Sequence, residues 1–260
     1  MMDRTVARSC IQRPPDLTVG YNWNWGIFWA PSPEGNGTYL DMLIQGLGTT
    51  LVTAALAWFL AFVVGSAVGV LRTLPGRTAP FVAGAWIELF RNMPLLVQLF
   101  LWYFVFPDLL PAAWGVWLKQ LPDASFLTAV IGIGFFMSAR VAVQVSSGID
   151  ALPHGQRAAA TALGLTSAQT YRYVLLPMAY RIILPPLTSE LLNTIKNTSV
   201  ALTIGLAELT ARARAVQEFS FQVFEAFTAA TLAYLAINLI ATLAARWLES
   251  RVRVPGYGKA

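Results

Sequence analysis

The amino-acid sequence predicts an all-α, polytopic membrane protein of about five transmembrane helices. The chain of 260 residues is 56% hydrophobic and only 12% charged, whereas soluble domains are roughly 45–50% apolar and about 25% charged. Its mean hydropathy is +0.57. The apolar residues gather into runs of about 20 residues or more, the length that a helix needs to cross a hydrocarbon core of about 30 Å. These runs use most of the chain, so no separate soluble domain is expected.

The apolar runs divide the chain into a membrane domain with a polar tail at each end. Spans are predicted at about residues 42–71, 79–106, 124–148, 179–207 and 222–246. The membrane domain then covers residues 39–250, between a tail of residues 1–38 and a tail of residues 251–260. Because no apolar run of about 7–15 residues comes before position 39, we expect no cleavable signal peptide. The tryptophans of "YNWNWGIFW", Trp23, Trp25 and Trp29, are typical of an interfacial aromatic belt rather than of ligand stacking.

Lysine and arginine predict the orientation of these spans. The side that holds the first loop and the C-terminus carries nine of them, and the opposite side carries six. The nine are Arg72, Arg77, Arg157, Arg172, Arg181, Arg246, Arg251, Arg253 and Lys259; the six are Arg4, Arg8, Arg13, Lys119, Arg212 and Arg214. Since the cytoplasmic loops of membrane proteins are enriched in these residues, residues 150–177 and 251–260 are predicted to be cytoplasmic. The 1–38 tail, and loop acids such as Glu208 and Glu225, fall on the extracytoplasmic side.

The predicted spans also contain ionisable residues, which are costly in a bilayer and therefore candidates for function. They are Glu88, Arg91, Arg140, Glu190 and Lys196. The i, i+3 spacing of Glu88 and Arg91 favours a mutually neutralising ion pair, with a role in a polar path as the alternative. Just after them, Pro94 is predicted to kink or restart the helix.

Polar stripes follow one face of the third and of the fourth predicted span. In the third span, Arg140, Gln144 and Ser147 recur at helical spacing. In the fourth, Glu190, Asn193 and Asn197 share a face, with Lys196 about 100° around the helix. Interhelical hydrogen bonding and a polar translocation path explain these stripes equally well. The candidate path residues are Arg140, Gln144, Glu190, Asn193, Lys196, Asn197, Thr198 and Ser199.

The sequence contains no constellation that would support catalysis. His154 is the only histidine and has no cysteine or second histidine near it, so no metal site is expected. Cys10 is the only cysteine, which excludes an internal disulfide. Neither a G-x-x-x-x-G-K-[ST] phosphate loop nor a G-x-S-x-G motif occurs, and the absence of a basic run argues against nucleic-acid binding. We therefore expect no enzyme activity and no cofactor, with transport driven by a partner or by an ion gradient.

The stretch "GQRAAATALGLTSAQTYRYVLLP" is too polar and too interrupted to span a bilayer. It resembles the coupling loop of ABC importer permeases, in which a G-Q-x-E-A-A-x-x-L-G core is followed by Leu-Pro, here Leu176 and Pro177. The resemblance implies short cytoplasmic helices at 150–177 that dock into an ATPase subunit. In this sequence Gly164 is suited to a left-handed helix end, and Thr166 or Ser167 to capping the next helix. The residues assigned to coupling are Gly155, Gln156, Ala158, Ala159, Ala160, Leu163 and Gly164.

The resemblance extends along most of the chain. "ELFRNMPLLVQLFLWYF" and "LPPLTSELLNTIKNTSVALTIGLAEL" resemble the polar amino-acid branch of these permeases. "YNWNWGIFW", "SARVAVQVSSGIDALPHGQ", "YRYVLLPMAYRIILPP" and "RVRVPG" are most similar to a permease of a glutamate/aspartate importer. The resemblance implies the type I importer permease fold, a place in the bacterial cytoplasmic membrane, and ATP hydrolysis on a separate chain. The partners that it implies are ATP-binding subunits, a homologous second permease, an extracytoplasmic amino-acid-binding protein and the lipid bilayer.

Three positions depart from the family pattern. Ala158 stands where the coupling core has glutamate, and Met178 where glutamine commonly follows Leu-Pro. Asn197 stands where many relatives read Lys-Asp-Thr-Ser, which leaves "KNTS" with the positive charge of Lys196, a feature that suits an anionic amino acid. The alternative function is an ion-coupled secondary transporter or a channel for a small polar solute. That alternative predicts inverted repeats, which the five spans do not display.

Overall fold

The computed structural model describes residues 21–35 and 37–252. Within them the chain is helical, apart from loops and one isolated antiparallel bridge between Pro31 and Thr38. The helices are α1 (Tyr39–Thr73), α2 (Thr78–Asn92), α3 (Leu95–Phe100), α4 (Phe106–Leu109), α5 (Ala112–Lys119), α6 (Ala124–Asp150), α7 (His154–Ala162), α8 (Ser167–Thr170), α9 (Leu176–Asn197), α10 (Leu209–Ser220) and α11 (Val223–Val252). Shorter 3-10 turns cover Trp25–Trp29 and Thr198–Ile204, and π-helical turns cover Leu101–Val105 and Tyr171–Leu175. Cys10, most of the 1–38 tail and residues 253–260 of the other tail lie outside the described residues.

The helices confirm the predicted all-α polytopic fold. Within the described part of the chain, α1, α6 and α11 are long and apolar enough to cross a membrane, with mean hydropathies of 2.2, 1.9 and 1.7. α2 passes the same test together with Leu95–Leu109, as one sharply bent span. The remaining predicted span corresponds to α9, which is more polar because it carries Arg181, Glu190 and Lys196. The predicted count of about five spans is therefore consistent with the structure.

Pro94 separates the two halves of the bent span, as the sequence predicts. The halves meet at 101°. Met93, the residue before the proline, is extended at ψ 133°, a conformation that proline imposes on its predecessor. The bend frees carbonyl groups at the end of α2, and the buried Gln98 side chain donates to two of them, the oxygens of Phe90 at 2.9 Å and Met93 at 3.1 Å. A polar side chain in an apolar segment thus replaces the backbone bonds lost at the bend.

The predicted ion pair between Glu88 and Arg91 is wrong. Glu88 instead accepts a hydrogen bond of 2.6 Å from the Asn92 side chain, one residue further along the helix. The side chains of Glu88 and Arg91 are both exposed. Arg91 at i+3 and Asn92 at i+4 both lie close to Glu88 on the helix surface. The Asn92 amide, rather than the Arg91 guanidinium, bonds to the carboxylate.

α6 is the central helix of the fold. Of its apolar stretch, 56% of the residues are buried inside the chain, against 11% in α11. Its tightest neighbour is α1, because glycines on α1 allow the two backbones to approach. A Cβ atom added at Gly65 would lie 2.6 Å from the Val141 Cβ atom, and one at Gly69 would lie 2.7 Å from the Val145 Cβ atom. Small residues four apart are a common device for close helix packing in membranes. We call this contact between α1 and α6 the glycine seam.

The 150–177 loop folds into short helices. α7 ends at Ala162, and Gly164 just beyond it has a φ of +77°, the predicted left-handed conformation. α8 begins with a capping box, in which the Gln169 backbone N–H donates to the Thr166 hydroxyl at 3.3 Å and the Thr166 N–H donates to the Gln169 side chain at 2.8 Å. Of the two capping residues that the sequence offers, Thr166 is the one used.

Two buried carboxylates hold the opposite end of the bundle, near Tyr39. Glu225, at the start of α11, is fully buried and accepts hydrogen bonds from the Asn24 backbone N–H at 2.6 Å and from the Tyr21 hydroxyl. Glu208 is also fully buried; it caps α10 through the Ala211 N–H at 2.8 Å and accepts from the Tyr234 hydroxyl at 2.7 Å. These contacts lie at the Tyr39 end of α1, whereas the 150–177 loop contacts its Thr73 end.

Candidate functional site

Arg140 and Glu190 bring the two predicted polar stripes together between α6 and α9. Their closest side-chain atoms, Nη1 and Oε2, are 3.9 Å apart, which makes an ion pair without a direct hydrogen bond. The Asn193 side-chain amide lies 3.4 Å from the same carboxylate oxygen. The Glu190 side chain is only 11% exposed and that of Arg140 is 43% exposed, so the pair lies at the edge of the fold. Pairing lowers the cost of placing both charges at membrane depth.

Phe136 and Met137, one helical turn before Arg140 on α6, also contact these polar side chains. Neither belongs to the polar stripe predicted from the sequence. The guanidinium carbon of Arg140 lies 5.4 Å from the centre of the Phe136 ring, a cation–π contact. The Asn197 side-chain amide reaches the sulfur of Met137 at 3.4 Å. Phe136 and Met137 precede Arg140 by four and three residues, so helical spacing could have identified them, but their apolar character concealed them. We call the set of Met137, Arg140, Glu190, Asn193 and Asn197 the polar seam.

The other candidate path residues lie outside the polar seam. The hydroxyls of Thr198 and Ser199 donate to carbonyl oxygens three residues earlier, those of Ile195 at 2.8 Å and Lys196 at 2.7 Å. Within residues 21–35 and 37–252, the side chains of Lys196 and Gln144 make no hydrogen bond. Lys196 is exposed and Gln144 is half-buried. The structure therefore brings half of the predicted path residues together in the polar seam. Lys196, which precedes Asn197 in the sequence, is on the surface.

The predicted coupling residues form an exposed surface on α7 and at its end. Leu163 is 80% exposed, which is unusual for a leucine in a helical loop. Gly155, Ala158, Ala159 and Gly164 are exposed as well. Ala160 faces inward and is buried, and Gln156 is half-buried. An apolar surface with one protruding leucine at the end of a helical bundle is typical of a site for another protein.

The bent span, the central helix α6 and the helical loop at one end define a multi-pass helical membrane protein with a polar contact between two of its helices. The chain belongs to the family described as the binding-protein-dependent transport system inner membrane component, whose model matches residues 61–254. This confirms the resemblance found in the sequence and places the chain among multi-pass proteins of the bacterial inner membrane.

Characterised relatives are similar over nearly the whole chain. The glutamate/aspartate import permease protein GltJ of Escherichia coli K12 is 47% identical over 241 residues, which cover 92% of this chain and 98% of that protein. The glutamine transport system permease protein GlnP of the same organism is 33% identical over 232 residues, 89% of this chain and 99% of that protein.

Solved structures share the fold. The crystal structure of an amino acid ABC transporter with histidines matches with a TM-score of 0.70 and 30% identity, over 82% of this chain and 95% of that one. An inward-facing structure of the MetNI methionine ABC transporter matches with a TM-score of 0.69 at 19% identity, over 83% and 98% of the two chains. The second likeness concerns the fold alone.

Proposed function

We propose that this chain is the permease subunit of an ABC importer that takes up acidic amino acids, glutamate and aspartate. The observation that carries the proposal is the 47% identity, over 92% of the chain, with a permease named for glutamate/aspartate import. Two cationic side chains support an anionic solute: Arg140 in the polar seam and the exposed Lys196. The chain moves its solute without making or breaking covalent bonds.

The proposed complex divides the work among several chains. The family description names transport that depends on a binding protein, which supports such a protein as a partner. In the proposed complex it delivers the solute on the extracytoplasmic side. ATP is hydrolysed by separate ATP-binding subunits, since this sequence has no phosphate loop. A homologous second permease pairs with this chain. Its glutamate would then supply the acid that Ala158 lacks at one of the two coupling surfaces.

The 150–177 loop is the proposed contact with the ATPase. Leu163 is exposed at the end of α7 beside Gly164, and Ala158 and Ala159 of α7 are exposed as well. A side chain that is 80% exposed at this end of the bundle gains stabilisation once a partner covers it. This assignment requires the loop to be cytoplasmic, with the 1–38 tail outside and the C-terminus inside.

The polar seam is the proposed lining of the solute path. Arg140 is held by Glu190 at 3.9 Å, long enough for a solute carboxylate to compete for the guanidinium. Asn193 and Asn197 offer neutral amides beside it. Gln144, Lys196, Thr198 and Ser199 complete the proposed set, with the hydroxyls of the last two already bonded to their own helix.

Purification of the complex through a tag on this chain, followed by reconstitution in liposomes, tests the proposal. An ATPase subunit should co-purify, and labelled glutamate and aspartate should accumulate with ATP, in preference to glutamine and arginine. Leu163→Asp should lose the ATPase, whereas Phe221→Asp, at an equally exposed apolar side chain between α10 and α11, should retain it. Uptake driven by an ion gradient with no ATPase present would support a secondary transporter and refute the proposal.

A further inference from the structure

The cytoplasmic loop is attached to α1 through one buried tyrosine. Tyr171 lies in the π-helical turn after α8 and belongs to the main apolar cluster, with only 7% of its surface exposed. Its hydroxyl donates a hydrogen bond of 2.7 Å to the backbone carbonyl oxygen of Thr73, the last residue of α1. Because the acceptor is a backbone atom, this bond fixes the position of the end of α1 rather than that of a side chain.

Arg157 connects α7 to the same hydroxyl. Its Nη2 atom donates to the Tyr171 oxygen at 3.1 Å, and its guanidinium carbon lies 5.5 Å from the centre of the Tyr171 ring. The hydrogen bonds therefore run in one direction, from the guanidinium to the phenol and from the phenol to the Thr73 carbonyl. Consecutive bonds of this kind strengthen one another, and a charged donor strengthens the first.

This connection has no counterpart elsewhere in the loop. Among the described residues, the contact between Tyr171 and Thr73 is the one place where a side chain of the 150–177 loop hydrogen-bonds to the rest of the chain. α6 and α9 need no such contact, because the loop continues directly into both of them. α1 is covalently remote from the loop, since Thr73 and Tyr171 are 98 residues apart. Apolar packing of Val70 and Leu74 also reaches this region, but among the described residues Tyr171 makes the hydrogen bonds that join the end of α1 to the loop.

We propose that Arg157 and Tyr171 form a relay through which a displacement of α7 reaches the end of α1. With the relay intact, α1 moves together with α6, and the glycine seam is preserved while α7 follows its partner. With the relay broken, α7 moves without α1. Arg157 and Tyr171 are positioning residues in this scheme, and the proposal rests on the function proposed above.

The test measures how many ATP molecules are hydrolysed for each amino acid transported by the reconstituted complex. Tyr171→Phe keeps the ring and removes the hydroxyl, so hydrolysis per transported solute should rise roughly tenfold, the size expected for the loss of one charge-assisted hydrogen bond. Arg157→Ala should have a similar effect, and the double variant should be no worse than either single variant. Arg157→Lys should restore little, because an ammonium group does not reproduce the planar stacking of a guanidinium.

The same loop provides a matched control. Arg172 lies over the Tyr173 ring at 5.6 Å, but both side chains are exposed. Tyr173→Phe and Arg172→Ala should hydrolyse as many ATP molecules per transported amino acid as the wild type does. In parallel, hydrogen exchange at the amides around Thr73 should speed up in Tyr171→Phe and not in Tyr173→Phe, a readout that needs no ATPase.

The possible outcomes separate this relay from the proposed function. A wild-type complex without ATPase or without uptake would refute the function, and with it the relay, before any variant is compared. An active wild type together with an unchanged ratio in Tyr171→Phe would overturn the relay alone. A fall in hydrolysis and uptake by the same factor would also overturn it, since it would show a docking defect.

Discussion

The central helix α6 meets α1 and α9 in two different ways. Against α1 it forms the glycine seam, where the backbones are so close that a single added carbon would lie 2.6 Å from Val141. Against α9 it forms the polar seam, where Arg140 and Glu190 stay 3.9 Å apart and the arginine is half-exposed. Interdigitated contacts are lost all at once when helices separate, whereas a long, half-exposed ion pair can exchange one partner for another charged group. At its loop end α6 also packs closely on α9, since a Cβ atom added at Gly148 would overlap the Ile183 side chain. We therefore expect a rearrangement during transport to begin at the polar seam rather than at either glycine contact.

Overfilling the glycine seam should have the largest effect on stability. Gly65→Leu places a side chain where Val141 and the Ser138 carbonyl already lie, so we expect destabilisation of about 3 kcal/mol or more and little folded protein in the membrane. Gly48→Leu is the matched control on the same helix, because no atom lies within 4 Å of a Cβ atom there. Thermal unfolding in detergent measures both. Equal losses in the two variants would show that the seam is not tightly packed.

Breaking the polar seam should cost less. Glu190→Gln leaves the Arg140 cation without its counter-ion, and since that side chain is 43% exposed we expect a loss of only about 1 kcal/mol. The double variant Arg140→Gln/Glu190→Gln should recover part of that loss in a double-mutant cycle. Glu88→Gln, at an exposed acid bonded to Asn92, serves as the control and should change little. An additive cycle would mean that the two charges do not interact.

Removing the surface lysine near the polar seam should change stability least and selectivity most. Lys196→Gln should alter the free energy of unfolding by no more than about 0.5 kcal/mol, as expected for an exposed side chain without partners in the described structure. If Lys196 attracts the solute carboxylate, uptake of glutamate relative to glutamine should fall several-fold. Lys119→Gln, at a lysine paired with Asp108 on α4, should leave that uptake ratio unchanged. An unchanged ratio in Lys196→Gln as well would remove Lys196 from the proposed path.

Local sequence patterns predicted the features that depend on neighbouring residues. The first and third predicted spans, 42–71 and 124–148, correspond to α1 and α6 because a long apolar run has few alternatives to a spanning helix. Pro94 and Gly164 act as predicted because their backbone restrictions are intrinsic. The stripes on α6 and α9 were identifiable from helical spacing, and the structure adds that Arg140 of one faces Glu190 of the other.

Features that depend on distant partners could not be predicted in this way. The bond between Tyr171 and Thr73 joins residues 98 apart, with no pattern at either position. The sequence places Glu208 and Glu225 on the extracytoplasmic side, but nothing in it indicates that both are fully buried. Their burial is possible only because tyrosine hydroxyls and backbone N–H groups from other elements satisfy them.

The bond between Asn24 and Glu225 also sets an order of events during synthesis. The two residues are 201 positions apart, so the carboxylate leaves the ribosome long after the amide that it will bind. At about 5–20 residues per second the delay is about 10–40 s. Throughout that interval the Glu225 carboxylate is not available as an acceptor for the Tyr21 hydroxyl and the Asn24 amide, so these donors bond to water instead. The bundle is thus closed at the Tyr39 end of α1 by α11, after α1 to α10 have been made.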